Sequence, residues 1–106
     1  MTFEEIYTWI ESLKKIEKLS IAEKTVKLCE EAGEFSAEIL RYLGQKEHNG
    51  SQEELMDHLL EEGCDIIVTA LALFARLGFS EEEIIQKMED KINVWIKKVT
   101  NESLLK

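Results

Sequence analysis

The sequence predicts an all-α protein built as an antiparallel four-helix bundle, and three observations carry that prediction. Four Ser/Thr-x-x-Glu boxes begin at Thr2, Ser20, Ser51 and Ser80, each directly before a run whose apolar residues recur every three or four positions. Glycines stand where two of those runs stop, at Gly44 and Gly78. No proline interrupts any of them. At 106 residues the chain reads as one domain with a single core.

Thr2-x-x-Glu5 opens a first helix with Phe3, Ile6, Ile10, Leu13 and Ile16 on one face. Tyr7 and Trp9 lie off the centre of that stripe, and Trp9 reads as an aromatic at the edge of the core. Ser20-x-x-Glu23 opens a second helix reaching about Leu43, where Gly44 ends it. Its apolar positions cover about half the circumference, which predicts two neighbours instead of one. Gly44 to Gly50 is a polar loop, with His48 solvated in it. Ser51-x-x-Glu54 opens a third helix ending at Gly78. Its second half, Ile66 to Ala75, is apolar on all sides, which predicts burial against another subunit. Ser80-x-x-Glu83 opens a fourth helix, with Ile84, Ile85, Met88, Ile92, Trp95, Ile96 and Val99 on one stripe. Lys87, Lys91 and Lys98 run along one edge of it, within roughly 40° of each other. Asn101 to Lys106 reads as a frayed tail.

Charge narrows the class of function. Thirteen basic against 22 acidic residues give a net charge of −9, which argues against a nucleic-acid polymer or an anionic membrane as partner. Met1-Thr2-Phe3-Glu4-Glu5 lacks the basic start of a signal peptide, and no apolar run reaches about 18 residues. A cytoplasmic protein is the expectation. Cys29 and Cys64 are far apart and make no disulfide framework; buried, reduced thiols are expected, and two thiols without a histidine nearby in sequence do not suggest zinc.

The acidic residues are not scattered. On the second helix Glu31, Glu34 and Glu38 fall within roughly 60° of one another, with Lys27 beside them and Glu30 at the margin. On the third, Glu62 and Asp65 are an i, i+3 pair with His58 a turn before them, while Asp57 and Glu61 follow the neighbouring line. If these helices pack face to face, at least four carboxylates converge and repel. A hard divalent cation, Mg²⁺ or Mn²⁺ in its place, would supply the missing counter-charge. The alternative is a solvated acidic face on each helix. Gly33 and Gly63 stand inside the two clusters, where a mid-helix glycine costs roughly 1 kcal/mol against alanine. A close approach of another backbone or side chain is expected at both.

Glu30-Glu31-x-x-Glu34 followed by Glu62-x-x-Asp65 resembles the EExxE…ExxD signature of the MazG-like all-α nucleotide pyrophosphohydrolases. That superfamily includes the dimeric dUTPases, the dCTP pyrophosphatases and phosphoribosyl-ATP pyrophosphohydrolase. The resemblance covers the chain from about Trp9 to Lys98, in helix order as well as in motif spacing. It implies a MazG-like bundle assembled as a homodimer or homotetramer. It also implies hydrolysis of a nucleoside triphosphate between the α and β phosphates, giving the monophosphate and pyrophosphate. By the same resemblance Glu31, Glu34, Glu62 and Asp65 would hold Mg²⁺, and Glu30 would either activate the attacking water or support the ligands. Lys87 and Lys91 would stabilise the leaving pyrophosphate, and Trp9 would stack on the base. The arginine often found late in the family's fourth helix is absent, with Lys97 or Lys98 nearest. The role implied is house-cleaning of the nucleotide pool. Narrower activity on deoxyuridine nucleotides or phosphoribosyl-ATP is the alternative within the class, and outside it stands a non-enzymatic acidic helical oligomer that binds a protein partner.

Overall fold

The computed structural model describes the backbone of residues 1–105 and the side chains of residues 1–101. Four helices account for most of it: α1 (Phe3–Leu13), α2 (Ile21–Tyr42), α3 (Gln52–Arg76) and α4 (Glu81–Leu105). Each begins where the sequence supplies a cap. The Thr2, Ser20 and Ser80 hydroxyls accept from the N–H groups of Glu5, Glu23 and Glu83, and those glutamates accept in return from the cap N–H groups, at 3.0–3.2 Å. Ser51 accepts from the Glu54 N–H at 3.1 Å. These bonds satisfy N–H groups that have no partner inside the helix.

Gly44 and Gly78 end α2 and α3 with φ of 76° and 86°, left-handed conformations that suit glycine. Each allows the paired backbone bonds of a Schellman ending: Gln45 to Leu40 at 2.9 Å with Gly44 to Arg41 at 3.0 Å, and Phe79 to Phe74 at 3.0 Å with Gly78 to Ala75 at 3.1 Å. The hydrophobic contact that accompanies this motif is made by Phe74 and Phe79, whose rings meet edge to face at 5.9 Å.

α2 and α3 form an antiparallel pair, because Glu31 meets Thr69 while Phe35, further along α2, meets Gly63, further back on α3. α1 packs on the second half of α3. Tyr7 and Ile10 of α1, Leu71 and Ala75 of α3 and Ile84 of α4 form the core, with Phe3, Ile6 and Ala72 against it. Tyr7 is the centre of this cluster, 1% exposed, and its hydroxyl donates to the Phe79 carbonyl at 2.6 Å. The stripe expected for α1 is therefore rotated: Tyr7 is inside, Trp9 is 59% exposed, and Ile16 lies past the end of the helix and is exposed.

α4 departs from the expected bundle. Ile84 enters the core, but every residue from Gln86 to Asn101 is exposed. The radius of gyration, 17.2 Å, exceeds the roughly 13 Å of a compact domain of this length. Ile85, Met88, Ile92, Trp95 and Val99 recur at alternating steps of three and four, the spacing of a helix-pairing seam, and Trp95 is 67% exposed. Beyond Ile85, the described part of α4 thus packs against nothing else in the chain. Among the described residues the close packing of α2 is against α3, and Val26 on α2 is exposed, so the second neighbour expected for this helix is not seen. On α3 the apolar run divides: Leu71 and Ala75 belong to the chain's own core, while Ile67 and Val68 face outward. The helix continues through Leu105 where a frayed tail is expected from Asn101, and Lys106 lies outside the described residues. Among the described residues no helix is long and apolar enough to cross a membrane.

Candidate carboxylate site

The seam between α2 and α3 brings the two acidic clusters together. Glu31, buried, accepts the Thr69 hydroxyl at 2.7 Å. One turn along, Glu34 faces Glu62. The Glu62 carboxyl is pushed above its ordinary value first by loss of water, then by a hydrogen bond and repulsion from Glu34, and further by the charges of Asp65 and Glu61. Glu34 and Glu62 thus face each other across the seam as a pair of acids. Glu62 Oε2 is buried and has no hydrogen-bond partner. Such an atom is costly unless something outside the chain satisfies it.

The close helix approach that creates this pairing has a visible cause at Gly63. A Cβ there would lie 3.1 Å from the Phe35 ring, tighter than an ordinary contact. Gly33 is different: nothing stands within 4 Å of the position its Cβ would take, so the expected close approach does not occur within the chain.

The remaining acidic residues sort by their surroundings. Glu34 and Asp65 are exposed at the mouth of the seam, and Glu30 is exposed beside Glu31. Glu38 leaves the stripe, because Arg41, a turn along the same helix, donates to it at 2.5 Å. Among the described residues no three His, Cys, Asp or Glu side chains are grouped closely enough to hold a metal ion as they are placed. Like charges without a counter-ion spread outward, which fits the exposure of Glu34 and Asp65.

Other expected site residues are not gathered here. Lys87 and Lys91 border an apolar groove of about 450 Å³ between α4 and the α3–α4 corner, where Phe74, Phe79, Met88 and Ile92 form the wall. Among the described residues neither lysine forms an ion pair with the acidic clusters. Trp9 lines a shallow depression with Glu4, Glu5, Thr8 and Ser12, away from the seam. Cys29 and Cys64 are exposed free thiols, not buried ones, because the faces of α2 and α3 that carry them turn away from each other.

Thr69 was not expected. Its signal is a lone hydroxyl inside the apolar run, one helical turn after Asp65 and so on the same face. Lys24 is the other surprise, buried and ion-paired with Glu17 at 3.2 Å.

The fold and this seam define an all-helical protein that holds opposed carboxylates between two antiparallel helices. Compared with family models, curated proteins and solved structures, the chain matches none.

Proposed function

We propose that the chain is a Mg²⁺-dependent nucleoside triphosphate pyrophosphohydrolase of the MazG-like kind, working as a homo-oligomer. The observation that carries this reading is the facing of Glu34 and Glu62 across the seam, with Glu62 Oε2 buried and unpartnered and Asp65 adding to the repulsion. That donor set fits a hard cation: all-oxygen, anionic and unsatisfied. Glu34, Glu62 and Asp65 would hold the ion, and Glu31 would join through the oxygen that Thr69 does not engage. When bound, it would neutralise phosphate charge and acidify a water.

The chain's own residues supply the rest. Thr69 fixes the rotamer of Glu31 through the 2.7 Å bond, so that carboxylate is oriented before any ligand arrives. Glu30, exposed one residue away, would either take a proton from water or support the ligands. Lys87 and Lys91 stand on the unpaired α4, so for them to meet a pyrophosphate at the seam, α4 of a second copy must lie along α2 and α3. That arrangement would also cover Ile92 and Trp95 and place lysines over carboxylates. A dimer or tetramer is therefore part of the proposal.

The test is pyrophosphate release from a panel of nucleoside triphosphates, with Mg²⁺ and with chelator, on the native protein and on Glu34→Gln. Release that needs the metal and disappears in the variant supports the proposal and ranks the bases, dUTP included. No release from any nucleotide favours the second reading, a non-enzymatic acidic helical oligomer, for which the exposed seam of α4 speaks. The two also differ in stability: a metal site gains stability with rising Mg²⁺ by mass action, whereas a solvated acidic face does not.

A further inference from the structure

In a chain of net charge −9, three cations line one small pocket. Lys14, Lys24 and Arg76 surround a cavity of about 130 Å³ where the α1–α2 connection meets α2 and α3. Glu17 is the acid on its wall, and Ile10 and Val68 are among its apolar side chains. Three positive charges against one negative leave an excess of two.

Each cation is held in place. Arg76 Nη1 donates to the Leu19 carbonyl at 2.7 Å, Lys14 Nζ to the Ala75 carbonyl at 3.4 Å, and buried Lys24 pairs with Glu17 at 3.2 Å. Glu17 is anchored as well, because its other oxygen accepts the Leu19 N–H at 3.2 Å. A guanidinium carries five N–H donors and an ammonium three, so these bonds leave most donors free. Orienting cations against apolar walls strengthens their pull on an anion relative to water. At about 30 Å³ per water, the cavity has room for about four waters, enough for a tetrahedral oxyanion.

We propose that this pocket binds a phosphate-type oxyanion. Arg76 is about 16 Å along α3 from Asp65 at 1.5 Å per residue, so the site is separate from the carboxylates and does not depend on metal chemistry there. The competing role is purely mechanical, in which the cations latch the α1–α2 connection onto α3. The two roles differ in what Glu17 does. For a latch, Glu17 is a useful partner of Lys24. For an anion site, it is a like charge inside the pocket.

The experiment titrates inorganic phosphate and pyrophosphate into the full chain in the presence of chelator, followed by calorimetry and by thermal shift. Saturable binding is expected, weakened about tenfold or more in Lys14→Gln, as loss of one charge-assisted hydrogen bond implies. Glu17→Gln should bind the anion more tightly while losing stability without it. Lys46→Gln, exposed in the connection between α2 and α3 and outside both sites, should bind as the native protein does. Lys14 is half-buried at the end of α1, so its variant tests the site without emptying the core. Absence of saturable binding, or binding unchanged by Lys14→Gln and not improved by Glu17→Gln, overturns the proposal.

Discussion

Gly63→Ala separates the two forces that set the distance between α2 and α3. In an exposed helix interior, replacing glycine by alanine stabilises by about 1 kcal/mol, because the unfolded chain has fewer conformations to lose. At Gly63 the added methyl meets the Phe35 Cε1 atom at 3.1 Å, with Cδ1 and Cζ at 3.6 and 3.8 Å. One contact is too tight and the others are ordinary, so the ring or the helix must yield by a few tenths of an ångström. Overpacking of that kind costs roughly 1–3 kcal/mol, which cancels or exceeds the gain. Gly33→Ala is the internal reference, since its methyl meets nothing within 4 Å.

The expected outcome is therefore a split. Gly33→Ala should raise the midpoint of thermal unfolding by roughly 4–8 °C, the shift that about 1 kcal/mol makes in a domain of this size. Gly63→Ala should leave it unchanged or lower it by a similar amount. Far-UV circular dichroism in chelator reads both, and under the proposed function pyrophosphate release reads the consequence at the seam: Gly63→Ala would push Glu34 from Glu62 and should slow release several-fold, since small misplacements of catalytic groups are expensive. Equal stabilisation of the two variants would refute the role given to the Phe35 contact. Destabilisation of the Gly33 variant would mean that a second copy packs where a single protomer leaves open space.

Two further outcomes follow from the same structure. A carboxyl whose folded pKa is raised contributes stability fully present below its ordinary value of 4.5 and lost as pH rises through the raised value, so the metal-free protein should weaken over that window, and Glu62→Gln should flatten the profile and be the more stable form at neutral pH; denaturant midpoints against pH check this, and parallel profiles would contradict it. Trp95→Glu, at the exposed seam of α4, should lower the mass in solution without loss of helix, whereas Leu71→Glu, inside the core, should unfold the protomer; light scattering with circular dichroism distinguishes the two, and an unchanged mass for the Trp95 variant would remove α4 from the assembly.

Local signals in the sequence are legible because they act locally. A Ser or Thr three residues before a Glu satisfies its own backbone, and a glycine after the last apolar residue adopts its left-handed turn, without reference to the rest of the chain. The number, order and type of the helices followed from these. Rotation about a helix axis is a tertiary property, and there the stripe of α1 misled: it counted Ile16, which is past the helix end, and underrated Tyr7, whose hydroxyl gains a carbonyl only when the α3–α4 corner folds back. The facing of Glu34 and Glu62 was legible from spacing, but the loss of Glu38 to Arg41 and the orientation of Glu31 by Thr69 depend on rotamers that spacing does not contain. The place of α4 was least legible, since an apolar stripe states that a partner exists and not which molecule provides it.

The position of the core explains how the chain tolerates its own acid pair. Tyr7, Ile10, Leu71, Ala75 and Ile84 gather at one end, where α1 and the start of α4 brace the second half of α3. Glu62 lies nine residues before Leu71, about 13 Å away along the helix at 1.5 Å per residue. A buried, unpartnered oxygen beside another carboxylate would be intolerable inside that cluster, but midway along the hairpin its cost falls on a seam outside the core. Phe35 against Gly63 then sets the limit, holding the helices close enough that the repulsion persists instead of relaxing. Binding of a cation at the seam is expected to tighten the part of the hairpin that the core does not reach. Hydrogen exchange should accordingly slow on addition of Mg²⁺ around Glu31 to Glu34 and Gly63 to Asp65, and remain unchanged around Tyr7 and Ala75.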